Sequence, residues 1–351
     1  HFTDRAELSR QTEYFGNTVR RPGLIDEVRA AADDIGHALR EFCDELEVDV
    51  LMPQNALAIP MQVPLAVAIG GLAAEGMPVI AHHHDLAWER ERFSETSIPD
   101  LLDAYFPPRG PSIHHLMINS LAQEQLARRR GLVSAVLPNV MDFALDDPGP
   151  RDGDRFRAAA GLSRDQVVLL QPTRVIPRKS IETSIEFAQH IDDAVIVITH
   201  EEGDEGDRYG IALRAQAEQA DVDLRYVPVG TDPSAGPTLA DAYESAALVL
   251  YPSRIEGFGN ALLEAFFYRR PVLIRRYPVY VADIAPTGVQ CIEFGDYLTD
   301  DVISRAKTWI DDSNTWEHAV DRNYEVGRQS FSLEVAQGVM DRALTAFDGQ
   351  E

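Results

Sequence analysis

The sequence predicts an α/β protein of two domains, each built on a parallel sheet covered by helices on both faces. Three observations carry this. Short apolar runs alternate with amphipathic stretches along most of the chain, the pattern of strands buried on both faces. The alternation stops once, at a stretch dominated by Asp, Pro and Gly, and then restarts. The length of 351 residues suffices for two domains with separate cores.

In chain order, Leu24 to Leu46 places Ile25, Val28, Ala32, Ile35, Leu39, Phe42 and Leu46 at helical spacing. Val48 to Met52 reads as a short buried strand and Val63 to Ala74 as the helix after it. Met77 to His84 is a strand ending in polar residues, and Ile113–Asn119, Leu121–Arg130 and Val133–Leu137 continue the alternation. Asp142 to Asp154 is the linker. Beyond it come strand Val167–Gln171, helix Ile181–His190, strand Val195–Thr199, helix Tyr209–Ala220 and strand Asp223–Val229. Helix Leu239–Ser245, strand Ala247–Pro252, helix Asn260–Tyr268 and strand Pro271–Ile274 follow. Three helices, Asp301–Asp311, Thr315–Arg328 and Leu333–Phe347, end the chain, the last opened by Ser332. Residues 1–150 thus form a first domain, 151–330 a second, and 331–351 a terminal helix. Two such sheets in tandem predict a central cleft, a favoured place for a small ligand.

Composition narrows the function. Hydrophobic residues make up 45% and charged residues 25%, ordinary for a folded protein. No apolar run reaches the roughly 18 residues that span a bilayer. The most apolar stretch, Ile59 to Ala74, is interrupted by Pro60, Gln62 and Pro64 and reads as a buried helix. Neither a signal peptide nor a lipidation motif is visible, although the chain opens on His1 and not on Met. Cys43 and Cys291 are too few for a disulfide framework and wrongly spaced for zinc, so a cytoplasmic location is expected. The formal charge of −25 argues against a nucleic-acid partner and gives no sign of a membrane one. A locally basic pocket can still hold a small phosphorylated ligand. Lys179 and Lys307 are the only lysines among 32 basic residues, so a lysine here is conspicuous.

The chemistry concentrates between Tyr251 and Glu264, at the C-terminal end of a predicted strand and the start of a helix, where open parallel sheets bind ligands. Gly257 and Gly259 let backbone approach a ligand, and the helix beginning at Asn260 points its N-terminus at an anion such as a diphosphate. Glu256 and Glu264 add two carboxylates that can accept hydrogen bonds from vicinal hydroxyls. A lone Gly-x-Gly is more often a tight turn with solvated glutamates. The whole arrangement in strand–loop–helix context reverses that preference.

Glu256-Gly257-Phe258-Gly259-Asn260-Ala261-Leu262-Leu263-Glu264-Ala265 closely resembles the donor signature E-G-F-G-x3-L-E-A of retaining GT-B glycosyltransferases of family 4. Thr173-Arg174-Val175-Ile176-Pro177-Arg178-Lys179-Ser180 resembles that family's G-R-x4-K-G stretch. Pro138-Asn139-Val140-Met141-Asp142 resembles its P-N-G-x-D element, and Ala81 to Asp85 its strand-end histidine followed by an acidic residue. The similarity runs from about Val48 to Gln329. Thr173 and Ser180 replace the usual glycines, and His200 stands where a glycine-rich loop is common. The first strand of the N-terminal domain and its glycine-rich loop are not identifiable.

The resemblance implies a GT-B fold, two Rossmann-like domains facing a cleft, with the last helix returning to the first domain. It implies retaining transfer of a hexose from a nucleoside diphosphate sugar, of the UDP-glucose or GDP-mannose type, to an acceptor hydroxyl. Arg174 and Lys179 would hold the diphosphate, where fixed cations stabilise developing charge. Glu264 would bind the ribose, and Glu256 with Gly257, Phe258, Gly259, Asn260 and Leu263 would complete the donor site. A strand-end histidine would touch the donor sugar, His84 first and His83 second. No metal cofactor is then required, although zinc on His82, His84 and Asp85 is conceivable.

Candidate acceptor contacts are Asn55, at the end of the Val48 strand, and Trp88, Arg90 and Arg92 just past the histidines. The two arginines can pair with an anionic acceptor, or equally with Glu89 and Glu91 on a solvated face. The expected partner is a small, soluble acceptor carrying an anionic group. A phosphorylase using inorganic phosphate and a sugar-nucleotide epimerase are the rival activities on this architecture.

Overall fold

Apolar alternation produces two parallel sheets in the computed structural model, which describes residues 5–144, 151–200 and 207–347. The chain divides into two compact units, residues 1–138 with 337–351, and residues 139–336.

The first unit contains α1 (Arg5–Tyr14), α2 (Leu24–Glu45), α3 (Val63–Ala74), β1 (Val79–His83), α4 (Pro99–Tyr105), β2 (Ile113–Met117), α5 (Ser120–Arg130) and β3 (Ser134–Val136). Its strands pair in parallel in the order β1-β2-β3. Val28, Leu57, Ile69, Val79, Ala81 and Ile113 form the heart of its core. The strand expected at Val48–Met52 is displaced. Pairing occurs instead as isolated parallel bridges, Leu51 with Val79 and Gln54 with His82. Pro53 explains the interruption, because it offers no N–H to the ladder; only its carbonyl takes part, accepting from His82 N–H at 3.2 Å.

The second unit runs α6 (Gly153–Ala160), β4 (Val167–Gln171), α7 (Ile181–Ala188), β5 (Ala194–Ile198), α8 (Asp207–Gln219), β6 (Asp223–Tyr226), α9 (Leu239–Ser245), β7 (Leu248–Tyr251), α10 (Asn260–Phe267), β8 (Val272–Arg275), β9 (Ile292–Phe294), α11 (Asp300–Asp311) and α12 (Glu317–Ser330). The last helix, α13 (Leu333–Thr345), begins in this unit, and residues from Gln337 onward belong to the first. Six parallel strands stand in the order β6-β5-β4-β7-β8-β9 around a core that includes Leu169, Ile185, Ile196, Leu250 and Ile292. Relabelled from the first strand of the unit this is 3-2-1-4-5-6, the doubly wound dinucleotide-binding order. The expected linker falls partly on residues 145–150, outside the described residues. Its end is already helical, since Asp152 caps α6 by accepting from Arg155 N–H.

Candidate active site

Strands β4 and β7 lie side by side, Leu169 opposite Leu248. From β4 the chain proceeds towards β5 on one side of the sheet, and from β7 towards β8 on the other. The loops leaving two such strands diverge and open a crevice at their C-terminal ends. Arg174 and Lys179 are on the first loop; the segment from Pro252 to Gly259 is the second.

An ion-paired cluster joins the loops. Lys179 Nζ donates to Glu256 Oε1 at 2.5 Å, and Arg178 donates to Glu256 Oε2 at 2.8 Å and to the Ile255 carbonyl at 2.9 Å. The Arg178 carbonyl in turn accepts from Arg254 N–H at 2.9 Å. Lys179 and Glu256 are both buried, at 8% exposure each. Burial, then the Arg178 and Arg174 charges, lower the Lys179 pKa, while Glu256 opposes them. Burial, the largest influence, would raise Glu256, but the Lys179 ammonium together with Ser253 and Arg178 holds the carboxylate below its ordinary value. Arg174 is exposed, and its guanidinium makes no hydrogen bond or ion pair among the described residues. Strand register sets Gln171 opposite Ile198, so His200 follows β5 at the same edge. Burial and then the Lys179 and Arg174 charges lower its pKa.

Gly259 adopts φ +137°, and a Cβ there would come within 2.6 Å of the Tyr277 hydroxyl. That hydroxyl donates to the Phe258 carbonyl at 2.6 Å, fixing the turn into α10. Only glycine meets both conditions. Asn260 is exposed at the helix start, where its side chain accepts from Asn139, the asparagine of the Pro138-Asn139 element. Phe258 and Leu263 are buried, Phe258 against the Phe331 ring. Glu264 is half-buried one turn into α10, with Oε2 accepting from the Tyr243 hydroxyl at 2.9 Å. Burial raises its pKa and the Tyr243 bond opposes the rise. Arg178, Tyr243 and Tyr277 are parts of this site that sequence reasoning did not single out.

In the first unit, strand alternation separates the histidines as expected. His82 and His84 share a face, with ring centroids 4.6 Å apart, and both touch Gln54 Oε1, at 2.9 and 3.0 Å. His83 points the other way. It is fully buried, with Nε2 2.9 Å from His115 Nδ1. Burial, reinforced by neighbouring imidazoles, holds His83 far below its ordinary pKa and takes His82 down to about 4. His84 is half-buried; burial lowers its pKa and Asp85 opposes the fall. No three metal-ligating side chains among the described residues are placed to hold an ion.

The acceptor candidates are partly committed to the protein itself. Asn55 Oδ1 accepts from the His84 and Asp85 backbone N–H groups at 2.9 and 3.1 Å, so it holds the loop after β1. Arg90 pairs with Asp85 at 2.6 Å, a partner not weighed from sequence, and Arg92 lies over the Phe93 ring. Trp88 donates its indole N–H to Gln125 at 2.9 Å.

Comparisons with known proteins bear on what this arrangement does. The chain is 33% identical over 303 residues to the mannosylglucosylglycerate synthase of Petrotoga mobilis, covering 77% of this chain and 68% of the relative. It is 29% identical over 351 residues to the Thermotoga maritima protein of the same name, covering 91% and 81%. The fold is shared with Anabaena HepE, solved in complex with UDP-glucose, at a TM-score of 0.70 and 17% identity over 90% of this chain and 82% of that one. The sequence matches no protein-family model.

Proposed function

Because the chain belongs to the family of the mannosylglucosylglycerate synthases, and is a GT-B hexosyltransferase using a nucleotide sugar, we propose that it transfers a mannosyl group from a nucleoside diphosphate mannose to a hydroxyl of glucosylglycerate, with retention at the anomeric carbon. The observation that carries the donor half is the buried Lys179–Glu256 pair beside Arg174, which has no ion pair among the described residues, at the point where the strand order reverses. The relatives' names support the sugar and the acceptor.

In this reading Arg174 and Lys179 bind the diphosphate, and the start of α10 adds backbone N–H groups and the positive end of a helix dipole. As the bond from the anomeric carbon to the phosphate oxygen breaks, charge accumulates on the leaving nucleoside diphosphate and these cations stabilise it. The acceptor hydroxyl forms the new bond on the same face and gives its proton to that phosphate. Glu256 is held by Lys179 and Arg178 to face the sugar hydroxyls, and His84 contributes a neutral imidazole to the sugar. Glu264 takes the ribose: Tyr243 occupies one carboxylate oxygen and the other accepts from the diol.

Glu264→Ala is accordingly expected to weaken nucleotide binding by about 1.5–3 kcal/mol, the worth of a hydrogen bond to a charged group. A 2′,3′-dideoxy nucleotide should lose almost nothing further in the variant. Calorimetric titration checks both. Unchanged affinity in a folded Glu264→Ala protein removes this residue from the site.

A further inference from the structure

Beside α5 in the first unit lies a cavity of about 430 Å³, walled by Trp88, Phe93, Leu102, Phe106, Arg129 and Arg130. That volume is within the range of small-molecule sites. Its floor is fixed in advance. The Trp88 indole donates to Gln125 Oε1, and Gln125 donates to Glu89 Oε1 at 3.3 Å. The other Glu89 oxygen accepts from Leu86 N–H at 2.9 Å. The aromatic ring is thus held by a chain of hydrogen bonds reaching back to the loop after β1.

The end of α5 carries three successive arginines whose fates differ. Arg128 pairs with Glu124, and Arg130, nine-tenths buried, pairs with Asp103 and donates to the Pro107 carbonyl. Arg90, at the rim, is taken by Asp85. Arg129 is the exception: its guanidinium stands 5.5 Å from the centre of the Trp88 ring and makes no ion pair or hydrogen bond among the described residues. Of the two carboxylates that also line the cavity, Asp103 is taken by Arg130 and Glu91 is exposed, and a guanidinium with no ion pair among the described residues, set over a fixed indole, is a place for an anion. Its planar fork can offer two parallel N–H groups to a carboxylate.

We propose that this cavity holds the acceptor by its carboxylate, with Arg129 as the residue that reads the charge and Trp88 as the platform for the carbon skeleton. The ligand class is a small hydroxy acid or its glycoside. The inference rests on the reading of the chain as a transferase with an anionic acceptor, and it gives Arg129 the role that the sequence suggested for Arg90 and Arg92.

The test has two arms. In the first, KM is measured for glucosylglycerate and for neutral glucosylglycerol in wild type, Arg129→Ala and Arg129→Lys. Arg129→Ala should raise KM for the anionic acceptor at least about tenfold more than for the neutral one, with nucleotide affinity as in wild type. Arg129→Lys should recover part of the loss. In the second arm, glycerate and glycerol are titrated calorimetrically into the same proteins without donor, so the cavity is tested even if no sugar transfer occurs. Glycerate binding by wild type that Arg129→Ala abolishes upholds the cavity, whatever becomes of the proposed reaction. An unchanged preference for the anionic acceptor in Arg129→Ala, or no glycerate binding by wild type, overturns it.

Discussion

Lys179→Ala is expected to lower turnover at saturating donor by about 100-fold or more, the usual consequence of removing one fixed group that stabilises leaving-group charge. The ammonium lies 2.5 Å from Glu256, buried, and near Arg174. Its loss leaves Glu256 its ion pair with Arg178, 2.8 Å away, so the carboxylate keeps a charged partner and the fold should survive. Lys179→Arg should restore activity only in part. The guanidinium is planar and spreads its charge, whereas this buried position accommodates a compact ammonium next to the Tyr251 ring, 5.7 Å away. Circular dichroism separates misfolding from lost chemistry. Wild-type turnover in a folded Lys179→Ala protein would remove this cation from the leaving group.

The second large effect is on stability. His82 and His115 are neutral in the fold, burial taking each down to about 4, and His83 is held lower still by burial and the surrounding imidazoles. The unfolded chain binds those protons near pH 6.5. A depressed folded pKa contributes stability that is complete above the unfolded value and is lost as pH falls towards the folded one. The window here runs from about 6.5 down to about 4. By pH 5 His82 and His115 should each have cost the fold about 2 kcal/mol, and His83 adds to the loss in the same direction. Urea denaturation of the first unit between pH 7.5 and 5 should show this fall, above the range in which most of the carboxylates titrate. His83→Gln should flatten the curve by one proton's worth. Stability that stays level across the window, or rises, contradicts the neutral-histidine account.

Much of this was legible from patterns whose cause is local. Val63–Ala74, Val167–Gln171 and Leu239–Ser245 match the helices and strand read from sequence to the residue, because apolar periodicity reports burial directly. The strand expected at Val48–Met52 gives way to isolated bridges at Leu51 and Gln54, because Pro53 between them changes where pairing can occur. Helix α1 went unseen since its sequence is almost wholly polar and only Glu7 and Tyr14 are buried. Strand β9 has three residues, too few to show alternation. Within the candidate site, the glutamates and glycines stood out because they occupy one contiguous strand–loop–helix segment. Arg178 and Tyr243 did not, because each gains its meaning from a partner elsewhere in the chain, Glu256 for Arg178 and Glu264 for Tyr243. Arg129 is a similar case: in sequence it is one of three arginines on a helix end, and only packing shows which one is unpaired.

Mannosyl transfer with retention is read from the product of a single reaction. The protein is incubated in EDTA with an α-linked nucleoside diphosphate mannose and glucosylglycerate, and the product is followed by proton and carbon NMR. The expected product is an α-mannosyl glycoside of the acceptor, formed in step with release of the nucleoside diphosphate and undiminished by the chelator. A β-linked product, consumption of donor without acceptor, or transfer that stops in EDTA and returns with a divalent metal would contradict it.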